Sequence, residues 1–297
     1  MKPFFSVVIT TYNRALFLEE ALATLLAQSY KNFEVVIIDN FSKDNTSEIV
    51  NKFSSLDIKF FKYKNDGVIS LSRNFALSKC AGEWIAFLDS DDLWMPDKLQ
   101  KSHDAIDERQ TVIYHRMAIL KNNVVSGKLR TRQLSKPFLE DLLLKGNTIA
   151  FSSSVVRKCA LEMIRGFNCS KSMINTADFN AWLKLAEINM NFTYLPDTLG
   201  IYRIHENNLS NDSYLSQANA AVDEFVQFLK LKDQSKIKNL LIYTQALTYS
   251  AQEKYSLATN HYKSIRLKYS FVLWLKSRAR LIHLFLHTLN WKFHIEK

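Results

Sequence analysis

Three carboxylates stand within four residues in Asp89-Ser90-Asp91-Asp92, directly after the apolar run Trp84-Ile85-Ala86-Phe87-Leu88. At ~4 Å two such charges repel by about 1 kcal/mol in water and about 4 kcal/mol at an effective dielectric of 20. A divalent cation relieves that repulsion. Carboxylates with few other protein ligands suit Mg²⁺ or Mn²⁺ shared with the phosphates of a substrate. The plainer reading is a solvated acidic loop in which one Asp caps a helix over Leu93–Lys101.

The segments around this cluster read as alternating strands and helices. Phe5-Ser6-Val7-Val8-Ile9, Phe33 to Ile38, Ile58 to Tyr63 and Trp84 to Leu88 are near-continuous apolar runs. Such runs are strands buried on both faces. Between them Leu18, Leu22 and Leu25 recur at helical spacing, Asn45 and Glu48 resemble a capping box, and Leu71, Phe75 and Leu77 mark a third helix. The pattern predicts a doubly wound, mostly parallel α/β sheet. Ligands of such sheets bind beyond the carboxyl ends of the strands, where the acidic cluster falls. Short strands at Thr111–Tyr114 and Ile149–Val156 and helices around Phe138–Leu144 and Phe179–Ile188 follow. Beyond about residue 211 only helical signals remain.

Composition narrows the class. The 297 residues are 47% hydrophobic with 6 Gly and 4 Pro, which excludes collagen-like and low-complexity chains. No run of 18 apolar residues predicts a transmembrane helix, and Phe4 to Ile9 is too short for a signal segment. Cys80, Cys159 and Cys169 form no CxxC spacing, so a reduced, cytoplasmic setting is expected. The net charge of +10 is uneven: residues 1–210 hold 26 Lys and Arg against 23 Asp and Glu, whereas 261–297 hold eight cations against Glu296 alone. That distribution argues against nucleic acid as a partner.

An ordered series of blocks carries a more specific signal. Ser6 to Arg14 (SVVITTYNR), Val36 to Asp44 (VIIDNFSKD), Ser72-Arg73-Asn74 through Gly82-Glu83-Trp84, Asp89 to Asp92 with Met95-Pro96-Asp97-Lys98-Leu99, Gly166-Phe167, Asp178 to Leu183 and Leu199 to Glu206 occur in this order. The series resembles inverting glycosyltransferase family 2, whose fold is called GT-A, of the bacterial surface-polysaccharide type, over roughly residues 4–210. The resemblance implies transfer of a sugar from a nucleotide-sugar donor to a glycan or glycolipid hydroxyl. It implies that Thr10, Tyr12, Asp39 and Asn40 line the base and ribose pocket and that Arg73 holds the nucleotide. Asp89 and Ser90 lie on the donor side, Asp91 binds the metal (Mn²⁺ or Mg²⁺), Asp92 offers a second metal contact, and Asp178 is the catalytic base. His205, in Tyr202-Arg203-Ile204-His205, suits a metal or phosphate contact, or is a structural histidine at the domain edge. On this reading residues 1–100 are the nucleotide-sugar half, 101–210 the acceptor half, and 211–297 a C-terminal all-helical extension with a basic amphipathic tail.

Three positions depart from the family pattern. Asn40 stands where many relatives carry an Asp that reads uracil, though its carbonyl still accepts from an imide N–H, so a UDP-sugar stays the expected donor. Ala177 replaces the acidic residue that commonly precedes the base, and Lys184 an Arg. Two other classes compete. A nucleotide-sugar pyrophosphorylase needs a Gly-rich phosphate loop, which Thr10-Thr11-Tyr12-Asn13 is not. A degenerate transferase serving as a binding subunit conflicts with the intact Asp91 and Asp178.

In the tail, Phe271, Leu275, Ile282, Phe285, Leu286, Leu289 and Phe293 lie among Lys276, Arg278, Arg280 and Lys292, with Trp274 and Trp291. That stripe suits a helix on an anionic membrane surface, which places the protein peripherally on the inner face of the cell membrane. The alternative is packing onto the catalytic domain.

Overall fold

The strand C-termini converge because four apolar runs pair in parallel. In the computed structural model β1 (Phe5–Thr11) lies between β2 (Phe33–Asp39) and β4 (Trp84–Phe87), with β3 (Ile58–Lys62) beyond β2. The structure describes residues 2–205, 214–226, 229, 231–268 and 270–295, and only the backbone at 214, 215, 231, 232, 251 and 285–295. Every residue of β1 is buried, as strands covered on both faces must be. Thr11 pairs in register with Asp39, and Asp39 with Lys62, so the ends of three strands open onto one edge.

Helix α1 (Ala15–Leu26) buries Leu18, Leu22 and Leu25 completely, the 3.6-residue stripe that the sequence predicted. Helices α2 (Thr46–Lys52) and α3 (Ile69–Lys79) complete the crossovers. The capping box at Asn45 does not form: its side chain makes no cap hydrogen bond. Asp44 does the capping, taking the Thr46 N–H at 3.2 Å and the Ala15 N–H at 2.9 Å, and so fastens the starts of α1 and α2 together.

The remaining sheet is mixed. It adds β5 (Leu93–Trp94), β6 (Val112–Lys121), β7 (Val124–Lys128), β8 (Val155–Arg157) and β9 (Phe192–Ile204). Among the described residues nine strands form one sheet in the order β3-β2-β1-β4-β8-β6-β9-β5, with β7 beside β6. The strand expected over Ile149–Val156 is a 3₁₀ turn, Phe151–Ser153, followed by β8. Helices α4 (Lys98–Asp104), α5 (Phe138–Lys145), α6 (Lys158–Met163) and α7 (Ala177–Glu187) flank these strands in sequence. Cys80, Cys159 and Cys169 are all free thiols.

The chain divides into two compact units, Met1–Leu139 with Asn147–Asn208, and Glu140–Gly146 with Leu209–Lys297. The linear boundary at 210 thus misplaces most of α5. The second unit contains α8 (Tyr214–Val226), α9 (Leu231–Ala251), α10 (Tyr255–Ser264) and α11 (Phe271–Ile295). Its core joins Tyr243, Ala246, Ala258, Tyr262 and Leu284. No helix among the described residues is long and apolar enough to cross a membrane.

Candidate active site

All predicted site residues lie in the first unit, at the carboxyl edge of β1, β2 and β4 or on elements that return to it. Thr10 is buried one residue before the end of β1, and Tyr12, just beyond the strand, is 51% exposed. Asp39 is wholly buried; both its oxygens accept from the Ser42 N–H, and its Oδ1 also accepts from the Ser42 hydroxyl at 2.5 Å. The Asn40 side-chain carbonyl, expected to face an imide, accepts from the Asn65 N–H at 3.0 Å and keeps a second lone pair. The β1 loop is tied to the β2 loop by Asn13, whose N–H donates to the Ser42 hydroxyl and whose carbonyl accepts from Lys43. Asn13 takes a positive φ of 50°, which Asn tolerates better than most residues.

The acidic loop is braced from three directions. Asp91 Oδ2 receives Arg14 Nη1 at 2.5 Å, and His205 Nε2 lies 2.9 Å from the same oxygen. Asp92 turns inward: Ser152 donates to Oδ2 at 2.6 Å and the Arg203 N–H to Oδ1 at 3.1 Å. Those bonds make Asp92 a brace of the loop, with a second lone pair left on each oxygen. Arg203 Nε reaches the Asp91 carbonyl at 3.0 Å, and its Nη2 reaches Glu20 at 2.5 Å. The Ser152 hydroxyl also accepts from the Asp89 N–H, and Ser90 is buried between these anchored neighbours.

Arg73 enters from α3. Its guanidinium lies 3.6 Å from the centroid of the Phe151 ring and 5.8 Å from that of Phe167. Nη2 reaches Asp89 Oδ1 at 3.4 Å, while the buried Nε finds no partner. Stacking on aromatic faces holds such a planar cation without neutralising it. Burial pushes the Asp89 carboxyl up to about 6; Arg73 opposes the rise, and Asp91 and Asp178 add to it. The Asp89 side chain keeps 30% of its surface open. Asp178 stands in the first turn of α7, where burial raises its pKa against the pull of Arg73 and of the Phe179 and Asp178 backbone N–H groups. Arg73 is therefore the cation to which both carboxylates respond.

Among the described residues no three His, Cys, Asp or Glu side chains converge into a metal cage. Asp91 with His205 fits the other kind of divalent site, in which one or two protein groups hold an ion completed by substrate phosphates. Nothing in the local sequence assigns a role to Arg14, Phe151, Ser152 or Arg203. Arg14 and Arg203 lie inside the ordered blocks, and the only signal for the turn at Ser152 is the run Ser152-Ser153-Ser154 breaking an apolar stretch.

The sequence profile of Glycosyl transferase family 2 matches residues 6–158, just over half of the chain. The chain belongs to glycosyltransferase family 2. Among its relatives, the Escherichia coli UDP-Glc:alpha-D-GlcNAc-diphosphoundecaprenol beta-1,3-glucosyltransferase WfaP is 30% identical over 213 residues, 70% of this chain and 80% of that one. S. aureus TarS in complex with UDP-GlcNAc superposes with a TM-score of 0.65 at 20% identity, over 94% of this chain and 88% of that one. The mannosyltransferase PcManGT from Pyrobaculum calidifontis, in complex with GDP-Man and Mn²⁺, gives 0.61 at 17% identity, over 97% and 88%. The fold of this family 2 glycosyltransferase is accordingly GT-A, with C-terminal helices.

Proposed function

We propose that the enzyme transfers a sugar from a UDP-sugar, with inversion, to a hydroxyl of a lipid-linked or lipopolysaccharide or capsule glycan at a membrane surface. The observation that carries this is Arg73, held on the Phe151 ring with Nη2 3.4 Å from Asp89 and near enough to Asp178 to draw its pKa down. Inverting displacement needs a base on the acceptor side and positive charge on the leaving diphosphate. Asp178 accepts the acceptor proton. Arg73, with a buried Nε free to donate, faces the diphosphate. Thr10, Tyr12, Asp39 and Asn40 hold base and ribose, with Asp89 and Ser90 on the donor side. Asp91 and His205 would hold Mn²⁺ or Mg²⁺, which supplies charge neutralisation to the leaving group when bound.

Support for the donor and acceptor classes comes from WfaP, whose name gives UDP-glucose and a diphosphoundecaprenol-linked sugar for that relative. The test pairs calorimetric titration of UDP-sugars with a transfer assay on Asp178→Asn. The amide keeps shape but takes no proton, so donor affinity persists while transfer falls by about 10²–10⁴-fold. Near-normal transfer removes Asp178 from the base role.

A further inference from the structure

Helix α11 carries two apolar faces with different fates. Trp274, Leu281 and Leu284 turn toward Tyr243, Tyr249, Ala258 and Tyr262 in the core of the second unit. Phe271, Val272, Leu275 and Ile282 turn outward and are 62%, 58%, 53% and 62% exposed. At 3.6 residues per turn Phe271, Leu275 and Ile282 fall within about 40° of one another. On the same wheel Val272 lies about 60° beyond Leu275 and exposed Lys276 about 40° beyond Val272, while Arg278 lies about 20° to the other side of Phe271 and Arg280 faces the opposite way. The tail stripe read from the sequence is thereby split: part is core, and part is surface. Its members Phe285, Leu286, Leu289, Trp291 and Phe293 lie outside the side chains described.

Single exposed apolar residues are ordinary, whereas a continuous helical stripe with a cation at each edge marks a surface for a partner. Charge selects the partner. From Lys254 to Ile295 the chain holds eight Lys and Arg and no Asp or Glu. A second copy would set cations against cations. A surface that is apolar within and anionic at its rim matches instead. Lys and Arg stems also let the charged heads reach such a rim while the helix lies in the plane below.

We infer that the outward face of α11, built on Phe271, Val272, Leu275 and Ile282 with Lys276 and Arg278 at its edges, docks the enzyme on an anionic lipid bilayer. The inference deepens the proposed function and rests on its reading of the acceptor as lipid-linked.

The test is co-sedimentation of the full chain with phosphatidylcholine vesicles and with vesicles containing phosphatidylglycerol, at low and high salt. Wild type is expected to sediment with the anionic vesicles at low salt and to be released at high salt. Leu275→Ser/Ile282→Ser alters only outward positions and should lower vesicle partitioning at least tenfold, with unchanged melting and UDP-sugar binding. Lys276→Gln/Arg278→Gln should remove the preference for anionic over neutral vesicles. The inference is overturned if wild type ignores anionic vesicles at low salt or if both double variants bind as wild type does. It is also overturned if light scattering shows a dimer that Leu275→Ser/Ile282→Ser converts to monomer, since the face then belongs to a second copy. Vesicle binding without any UDP-sugar binding leaves this inference standing and rejects the proposed function; the reverse result does the opposite.

Discussion

The Asn74 side chain grips the backbone of Phe167 at both polar groups: Oδ1 accepts from the Phe167 N–H and Nδ2 donates to the Phe167 carbonyl, each at 2.8 Å. Gly166, at φ 71°, makes the approach feasible, because a Cβ there would meet Asn74 Oδ1 at 2.4 Å. Phe167 then packs edge-on to Phe151, the ring that carries Arg73. Arg73 and Asn74 are neighbours on α3, so one helix supplies both the guanidinium and the clamp on its aromatic wall. Asn74 is a positioning residue. Asn74→Ala should lose about 1–3 kcal/mol in denaturant unfolding, the scale for stranding a buried peptide group. It should also weaken UDP-sugar binding through Arg73.

Gly166→Ala should destabilise the wild type through both the clash and the left-handed backbone, each about 1–3 kcal/mol. In the Asn74→Ala background only the backbone strain remains. A double-mutant cycle should therefore be sub-additive by at least about 0.5 kcal/mol. Additive losses would mean that the two residues do not press on one another.

Arg73 also sets a pH limit. It lowers Asp178 against the upward push of burial. A base works deprotonated, so Arg73→Gln should move the acid limb of the transfer profile to higher pH. Stability follows the sign of the same shifts. Asp89 rises from 3.8 to about 6 on folding, so its contribution is full below 3.8 and is lost as pH climbs through about 6. Asp89→Asn should flatten the unfolding free energy across that window, while an unchanged slope would show that Asp89 titrates as in the unfolded chain.

Asp91→Ala and Asp178→Asn should separate the donor side from the acceptor side. The first is expected to abolish the difference in UDP-sugar affinity between Mn²⁺ and a chelator, and the second to preserve it. Equal metal dependence in Asp91→Ala would move the metal away from this loop.

The parallel half of the sheet was legible because β1, β2 and β4 are buried on both faces, and a strand so placed is an unbroken apolar run; the edge strand β3, half-buried, keeps Lys59 and Lys62 in its run. The acidic loop was legible as a site because it follows β4 at the carboxyl edge. Strand β9 was not: Pro196 and Asp197 interrupt it where its register with β6 shifts between His115 and Arg116. A bulge accommodates such residues but erases the alternation that marks a strand. Nor was the bracing of the loop legible, since Arg14 and Asp91 lie 77 residues apart and Arg203 and Glu20 lie 183 apart. Local spacing holds no record of such pairs. Asp92 shows the consequence: its residue type suits a metal, and only its tertiary partners reveal that it also braces the loop.

Lys98 lies inside the block Met95-Pro96-Asp97-Lys98-Leu99 and is fully buried, with Nζ 3.6 Å from the centroid of the Trp94 ring and no hydrogen-bond partner. Burial drives its pKa well below the ordinary lysine value. His115 is wholly buried too, pushed down to about 3 by burial and then by Lys98. A depressed lysine binds its proton more weakly when folded, so unfolding takes up a proton and stability rises with pH toward 10.5. Methionine matches the stem, keeps the contact with Trp94 and removes the amine. Lys98→Met should therefore be about 1–3 kcal/mol more stable than wild type near neutral pH. The gap should close as pH rises and the wild-type amine loses its proton in both states. Denaturant unfolding of both proteins at several pH values measures this. A less stable Lys98→Met at neutral pH would mean that the cation on Trp94 outweighs its own desolvation.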